Sequence, residues 1–204
     1  MASRGEPEGT VIQGRTGIRK ALEFSVILRP KAGPPLELLA LIATFCASEG
    51  IRKDTGIITW LRWPDEVVAG SEVVAGTSFV HGENAAGRWA ILSFQINLGH
   101  VSRDGSTSLH NLLGVHVDPE MLLSKILDSL SWMHSGWVKE MYPQVLARIS
   151  FMLENAGDRV AVEREGKTVP GVVGGVDELG RLIVDLDNAV PARVVRRSDL
   201  LPLR

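Results

Sequence analysis

The densest chemistry in the chain lies in Trp60-Leu61-Arg62-Trp63-Pro64-Asp65-Glu66-Val67-Val68, followed by Val73-Val74-Ala75-Gly76. A tryptophan–proline pair carries two carboxylates between apolar runs. Neighbouring residues of a strand or turn point apart, so Asp65 and Glu66 are not expected to share one proton. A solvated turn is the plainer reading of the pair. Gly76 has no side chain and lets a ligand or another backbone come close. A second candidate is Gly14-Arg15-Thr16-Gly17-Ile18-Arg19-Lys20. Backbone N–H groups freed by glycine, with arginine forks beside them, suit a phosphate. An ordinary basic surface turn has the same composition, and both readings stay open.

Other chemistries find less support. The five histidines, His81, His100, His110, His116 and His134, show no i,i+4 pair and no cysteine partner, so no metal site is expected. There is no Gly-x-Ser-x-Gly elbow. Gly171 to Gly175 lacks the spacing and the following Lys-Ser/Thr of a phosphate loop. The single cysteine, Cys46, sits in the apolar run Leu36 to Ala47 and reads as a small buried hydrophobe. One cysteine builds no disulfide framework, which fits a reducing compartment.

These residues need elements to hold them. Ile57 to Trp60 and Val73 to Gly76 read as strands. Pro64 ends the first, since it lacks an N–H and restricts Trp63. The stretch is therefore expected as strand, charged turn and returning strand, with Thr77 to Val80 continuing it and His81 to Arg88 turning. Upstream, Thr10 to Ile12 and Glu23 to Leu28 read as strands. Leu36, Leu38, Leu39, Leu41, Ile42 and Phe45 follow a helical period, with Gly50 as its stop. Trp89 to Leu98 reads as a strand. Its alternation puts Ser93, Gln95 and Asn97 on one face and Phe94, Ile96 and Leu98 on the other. Asp118-Pro119-Glu120 starts a helix, and a second helical stretch runs from Trp137 to Asn155 with a break at Pro143. At Gly157 the period changes to short strands separated by Glu165-Gly166, Glu178-Leu179-Gly180 and Asp187-Asn188.

An α+β fold is expected: a mixed sheet packed with helices over residues 1–156, then a small β-barrel over 157–204. The chain has 204 residues, 45% of them hydrophobic, which is enough for a packed core. A formal net charge of -2 without a basic run gives no footprint for nucleic acid. Met1 to Gly9 has no apolar signal-peptide core and no run is long enough to span a bilayer. A soluble cytoplasmic protein, with no membrane partner, is expected.

The Trp-Pro stretch resembles the Lys-Trp-Pro-Asn-Asp motif of the biotin protein ligase family, in the biotin/lipoate ligase superfamily, where Ala-Gly follows on the next strand. Phe24-Ser25-Val26-Ile27-Leu28-Arg29-Pro30 matches that family's strand after its arginine-rich loop, and Thr107-Ser108-Leu109 matches its Thr-Ser-Leu segment. The resemblance covers nearly the whole chain and includes a C-terminal barrel. It also carries departures. Arg62 stands where the family has its catalytic lysine, Asp65 for its Asn and Glu66 for its Asp. Ser93 and Gln95 replace the glycines of Gly-Ile-Gly-Ile-Asn-Val, while Asn97 is kept. Of the loop, Gly14-Arg15 remain, with Gly17 and Arg19 as further matches.

The resemblance implies a ligase that activates biotin with ATP and Mg²⁺ and passes the acyl group to a lysine on the biotin carrier domain of a carboxylase. On it, Arg62 takes the catalytic position. Gly14, Arg15, Arg19, Trp63, Pro64, Asp65, Ala75, Gly76, Ser93, Gln95 and Asn97 take substrate or nucleotide positions. A guanidinium is bulkier than an ammonium and does not replace it in kind. An ionised Asp65 only accepts hydrogen bonds where an amide also donates. Weakened turnover is therefore expected. The alternatives are a non-catalytic paralogue that binds a carrier domain or a partner ligase, and a ligase for another acyl group. A homodimer is the expected assembly where one forms.

Overall fold

The computed structural model describes residues 6–14, 20–30, 35–85, 87–138, 142–164, 166–187, 190–194 and 196–202. Six strands form the first sheet: β1 (Val11–Gln13), β2 (Ala21–Leu28), β3 (Trp60–Arg62), β4 (Glu66–Ala69), β5 (Glu72–Asn84) and β6 (Gly87–Asn97). Their order is β1-β2-β6-β5-β4-β3, and each pair is antiparallel. Two isolated parallel bridges, Leu61↔Leu153 and Val73↔Ser106, make the sheet mixed. The helices are α1 (Leu38–Thr55), α2 (Leu109–Leu113), α3 (Pro119–Val138) and α4 (Tyr142–Phe151).

The alternation in β6 becomes a division of faces. Ala90, Leu92, Phe94 and Ile96 are buried beneath α1, with the Phe24 ring stacked on Phe94 at 4.6 Å between centroids. Each such side chain contributes about 1.5–3 kcal/mol by leaving water. The opposite face carries Ser25, Ser93 and Gln95, and no helix among the described residues lines it. The expected site therefore lies on the open side of a sheet whose other side is fixed by the core.

Several boundaries differ from the sequence reading, each for a local reason. Gly50 does not stop α1. The helix runs to Thr55 and ends at Gly56, which adopts the left-handed conformation (φ 76°) and donates to Arg52 O. Gly50 instead lets α3 pack closely, because a Cβ there would come within 2.4 Å of Ile126 Cγ1. With α1 longer, Ile57 to Thr59 lead out of the helix, and the strand is Trp60–Arg62. Glu66–Ala69 forms a strand of its own. His81 to Arg88 is no broad turn: β5 and β6 continue as a ladder to Asn84↔Gly87. Pro143 falls in the first turn of α4, where a missing N–H is tolerated.

The remaining strands are β7 (Arg159–Arg164), β8 (Lys167–Val176), β9 (Leu182–Leu186), β10 (Ala192–Val194) and β11 (Leu200–Pro202). They form a second, curled antiparallel sheet like a half-barrel, in the order β10-β9-β8-β7-β11. Val173, Leu182 and Val184 join the same apolar cluster as the first sheet. An ion pair sits at the β8–β9 turn, where the buried Asp177 accepts from the part-exposed Arg181 at 2.8 Å. Burial pushes the Asp177 carboxyl up. The Arg181 side chain and the backbone N–H groups of Arg181 and Leu179 outweigh that and hold it below the ordinary value.

Candidate functional site

The turn Trp63-Pro64-Asp65 joins β3 to β4, and its Trp63–Pro64 peptide is cis. Its carbonyls are all engaged. Thr77 N–H donates to Asp65 O at 2.8 Å. The Thr44 hydroxyl of α1 lies 3.2 Å from Pro64 O and 2.8 Å from the Thr77 hydroxyl. Arg197, just before β11, donates from Nη2 to Arg62 O at 2.9 Å and to Trp63 O at 2.8 Å. Trp63 itself is buried and donates from Nε1 to Gly180 O at 2.9 Å, in the turn between β8 and β9. The motif is thus fixed from both sheets and from α1.

Beside this turn a cleft of about 530 Å³ opens over β1, β2, β6 and β5. Five of the sequence-predicted residues line it: Gly14, Asp65, Gly76, Ser93 and Gln95. Strand pairing explains the grouping. Arg62↔Glu66, Glu66↔Gly76, Gly76↔Gln95 and Gln95↔Glu23 form one continuous row, which puts Gly76 and Gln95 on one face; Ser93 lies two residues along β6 on that face, Asp65 adjoins Glu66, and Gly14 N–H donates to Glu23 O at 2.8 Å. A Cβ on Gly76 would meet no protein atom within 4 Å, so the floor is open above it. Gln95 is exposed and its side chain has no hydrogen-bond partner among the described residues, leaving its amide to the cleft. The Ser25 and Ser93 hydroxyls bond each other at 2.8 Å.

The other predicted residues are elsewhere. Arg62 is not among the lining residues. Its Nε donates to Glu154 Oε2 at 2.6 Å, and its Nη2 donates to Glu154 Oε1 at 2.8 Å and to Ser71 O at 2.9 Å. The hydrogen bond to Glu154 raises the Arg62 pKa. Trp63 and Ala75 are buried in the core, and Pro64 accepts from Thr44. Asn97 uses its Nδ2 to hold Thr107 O at 3.0 Å, near the start of α2. Ser108 caps that helix by accepting from Asn111 N–H at 3.0 Å. Arg15 and Arg19 lie outside the described residues.

Sequence reading missed Glu154, Arg197, Thr44 and Thr77. Arg197 Nη1 donates to Glu66 Oε2 at 2.7 Å, and its Nη2 lies 3.8 Å from Asp65 Oδ1. Partial burial at the cleft raises the Asp65 pKa. Arg197 opposes that rise and Glu66 adds to it. Arg197 stands 131 residues from Glu66, and no local pattern announces the pair. Among the described residues, no group of three or more His, Cys, Asp or Glu side chains is placed to hold a metal ion. No described helix is long and apolar enough to cross a membrane.

No protein-family model matches the chain, and no curated protein does. Solved structures do. The biotin protein ligase of Aquifex aeolicus aligns with 96% of this chain and 88% of its own, at 20% identity and a TM-score of 0.78. The same organism's ligase in complex with biotin and ATP aligns over 89% and 77%, at 21% identity and 0.71. A biotin protein ligase-like protein of unknown function from Silicibacter sp. TM1040 aligns over 95% and 85%, at 16% identity and 0.73. The six-stranded sheet, its helices and the curled C-terminal sheet together are a biotin protein ligase-like fold.

Proposed function

We propose that the open cleft takes biotin or a biotin-like small acid, and that the chain by itself carries ligase chemistry only weakly. The observation that carries this reading is the state of Arg62. In acyl adenylation a carboxylate oxygen attacks the α-phosphorus of ATP and pyrophosphate leaves. A carrier lysine amine then attacks the acyl carbon and AMP leaves. Negative charge gathers around the acyl oxygen and α-phosphate, so a cation must stand there. Arg62 occupies the matching position in the motif, yet three of its five N–H groups are spent on Glu154 and Ser71.

Further features agree. Asp65 and Glu66 face the cleft, and no cation is among its described lining residues. Ser93 and Gln95 fill space that glycines would leave open. ATP with Mg²⁺ and a biotin carrier domain belong to this reading as the co-substrates of the residual reaction. The reading keeps a two-part organisation, 1–156 and 157–204, in which Arg197 and Gly180 of the second part brace the motif.

Two measurements test the reading. Calorimetry of the purified chain should show biotin binding. Labelling of a biotin carrier domain with ATP and Mg²⁺ should be slow, roughly a hundredfold or more below a ligase with an intact lysine, the scale expected when one charge-stabilising group is lost. Efficient labelling would overturn it. The freed Gln95 amide favours one second reading: a ligase-type protein for another acyl group, one with a polar feature for that amide to bind. A set of short acids tried in the same calorimeter separates the two.

A further inference from the structure

Resting on the reading of the cleft as an acyl site, we propose that Glu154 determines its specificity: by latching Arg62 it keeps the motif end anionic, so that the cleft admits the free acid and refuses its adenylate. The row from Arg62 through Glu66 and Gly76 to Gln95 places Arg62 on the cleft face. Its Nη1 already lies 3.9 Å from Glu66 Oε2, a residue of the cleft wall. What keeps the guanidinium from serving the cleft is its two-pronged pairing with Glu154. Such fork-to-carboxylate pairs are the strong ones.

Glu154 is no loose surface carboxylate. Leu61 N–H donates to Met152 O at 2.8 Å and Glu154 N–H donates to Leu61 O at 2.9 Å. The segment after α4 is therefore laid along β3, and Glu154 is set beside Arg62 by backbone bonds. Arg62 and Glu154 are both largely shielded, with side chains 29% and 27% exposed. Their charges cancel locally. Arg197 in turn is held by Glu66, and Asp65 remains at 3.8 Å from it. Among the described residues, two cations and three carboxylates leave one negative charge where a phosphate would need the opposite. A small acid seated over the middle strands avoids that end, whereas an adenylate cannot.

The test uses the full chain with three probes, biotin, AMP and a non-hydrolysable biotinyl-adenylate analogue, by calorimetry. The variants are Glu154→Gln and the conservative Glu154→Asp, each with its melting curve. In the wild type, biotin should bind roughly tenfold or more tightly than the adenylate analogue, the scale of about 1.4 kcal/mol of unfavourable charge contact. In Glu154→Gln, AMP and the analogue should bind roughly ten- to a hundredfold more tightly while biotin changes less than about twofold, the scale of a charge-assisted hydrogen bond that only the phosphate can make. Glu154→Asp keeps the carboxylate and should keep the wild-type pattern. A purely structural Glu154 would lower stability and move all probes together. The proposal is overturned if Glu154→Gln binds AMP no better, if biotin improves equally, or if Glu154→Asp improves as much. An analogue that binds the wild type as tightly as biotin overturns it without any variant. Should biotin bind nowhere while Glu154→Gln takes up AMP more tightly, the acyl-site reading fails and the latch stands. Should biotin bind but no phosphate preference appear, the latch alone fails. No binding of any probe to either form overturns both.

Discussion

The two ends of the cleft are built on opposite principles. At the motif end, polar groups are largely spoken for: Arg62 by Glu154 and Ser71, Glu66 by Arg197, and the turn carbonyls by Thr44, Thr77 and Arg197. At the floor, Gly76 opens onto empty space and the Gln95 amide has no partner among the described residues. Saturated hydrogen bonding makes a rigid feature but leaves nothing for a ligand. Unspent polar groups beside open space are where a ligand finds its partners. The altered motif is thus read as a brace between two sheets, and the recognising surface moves to the middle strands.

The largest expected effect breaks the brace. Trp63 is 5% exposed and reaches Gly180 O from its indole N–H. Trp63→Ala should cost about 3–5 kcal/mol of stability, the range for emptying a large aromatic site. Urea unfolding measures it. A loss under about 1 kcal/mol, well below that range, would mean that the second sheet holds its place without the motif. Next comes the floor. Replacing Ser93 and Gln95 together by glycine should raise biotin affinity about tenfold, or roughly 1.4 kcal/mol. Strand glycines should also lower stability by about 1–2 kcal/mol in total. Unchanged affinity in calorimetry would deny the floor its role in recognition.

This contrast was half legible in the sequence. The period of two in Trp89 to Leu98 identified the cleft face, because alternation is a local property of a strand. Gly76 and Gln95 stood out for the same reason, through what they lack or add at a strand position. Arg62 was legible as a charge and not as a partner, since Glu154 lies 92 residues on and reaches it only when the segment after α4 lies along β3. Gly50 shows the same limit: its type suggested a helix end, whereas its use is set by Ile126 on another helix. Residue types report what a side chain can do, and long-range packing decides whether that capacity is already used.

The smallest effect is expected at Asp65, where the two ends meet. Its side chain is 52% exposed, lines the cleft, and has Arg197 at 3.8 Å. Partial desolvation raises its pKa above the ordinary 3.8, and Glu66 adds to that against the pull of Arg197. A carboxyl raised in the folded state favours folding while protonated, and that advantage is lost as pH rises through its folded value. At about pH 3 the group is largely protonated in both states, so Asp65→Asn should shift the melting temperature little. At about pH 7 the variant is relieved of an ionised carboxylate in a partly dry cleft, and its melting temperature should rise slightly relative to wild type. The comparison between the two pH values is the measurement, since it cancels any packing change common to both. A lower melting temperature for Asp65→Asn at neutral pH would show that attraction to Arg197 outweighs desolvation. Asp65 would then belong with the braced end of the cleft, and recognition would fall to Gln95 and Ser93 alone.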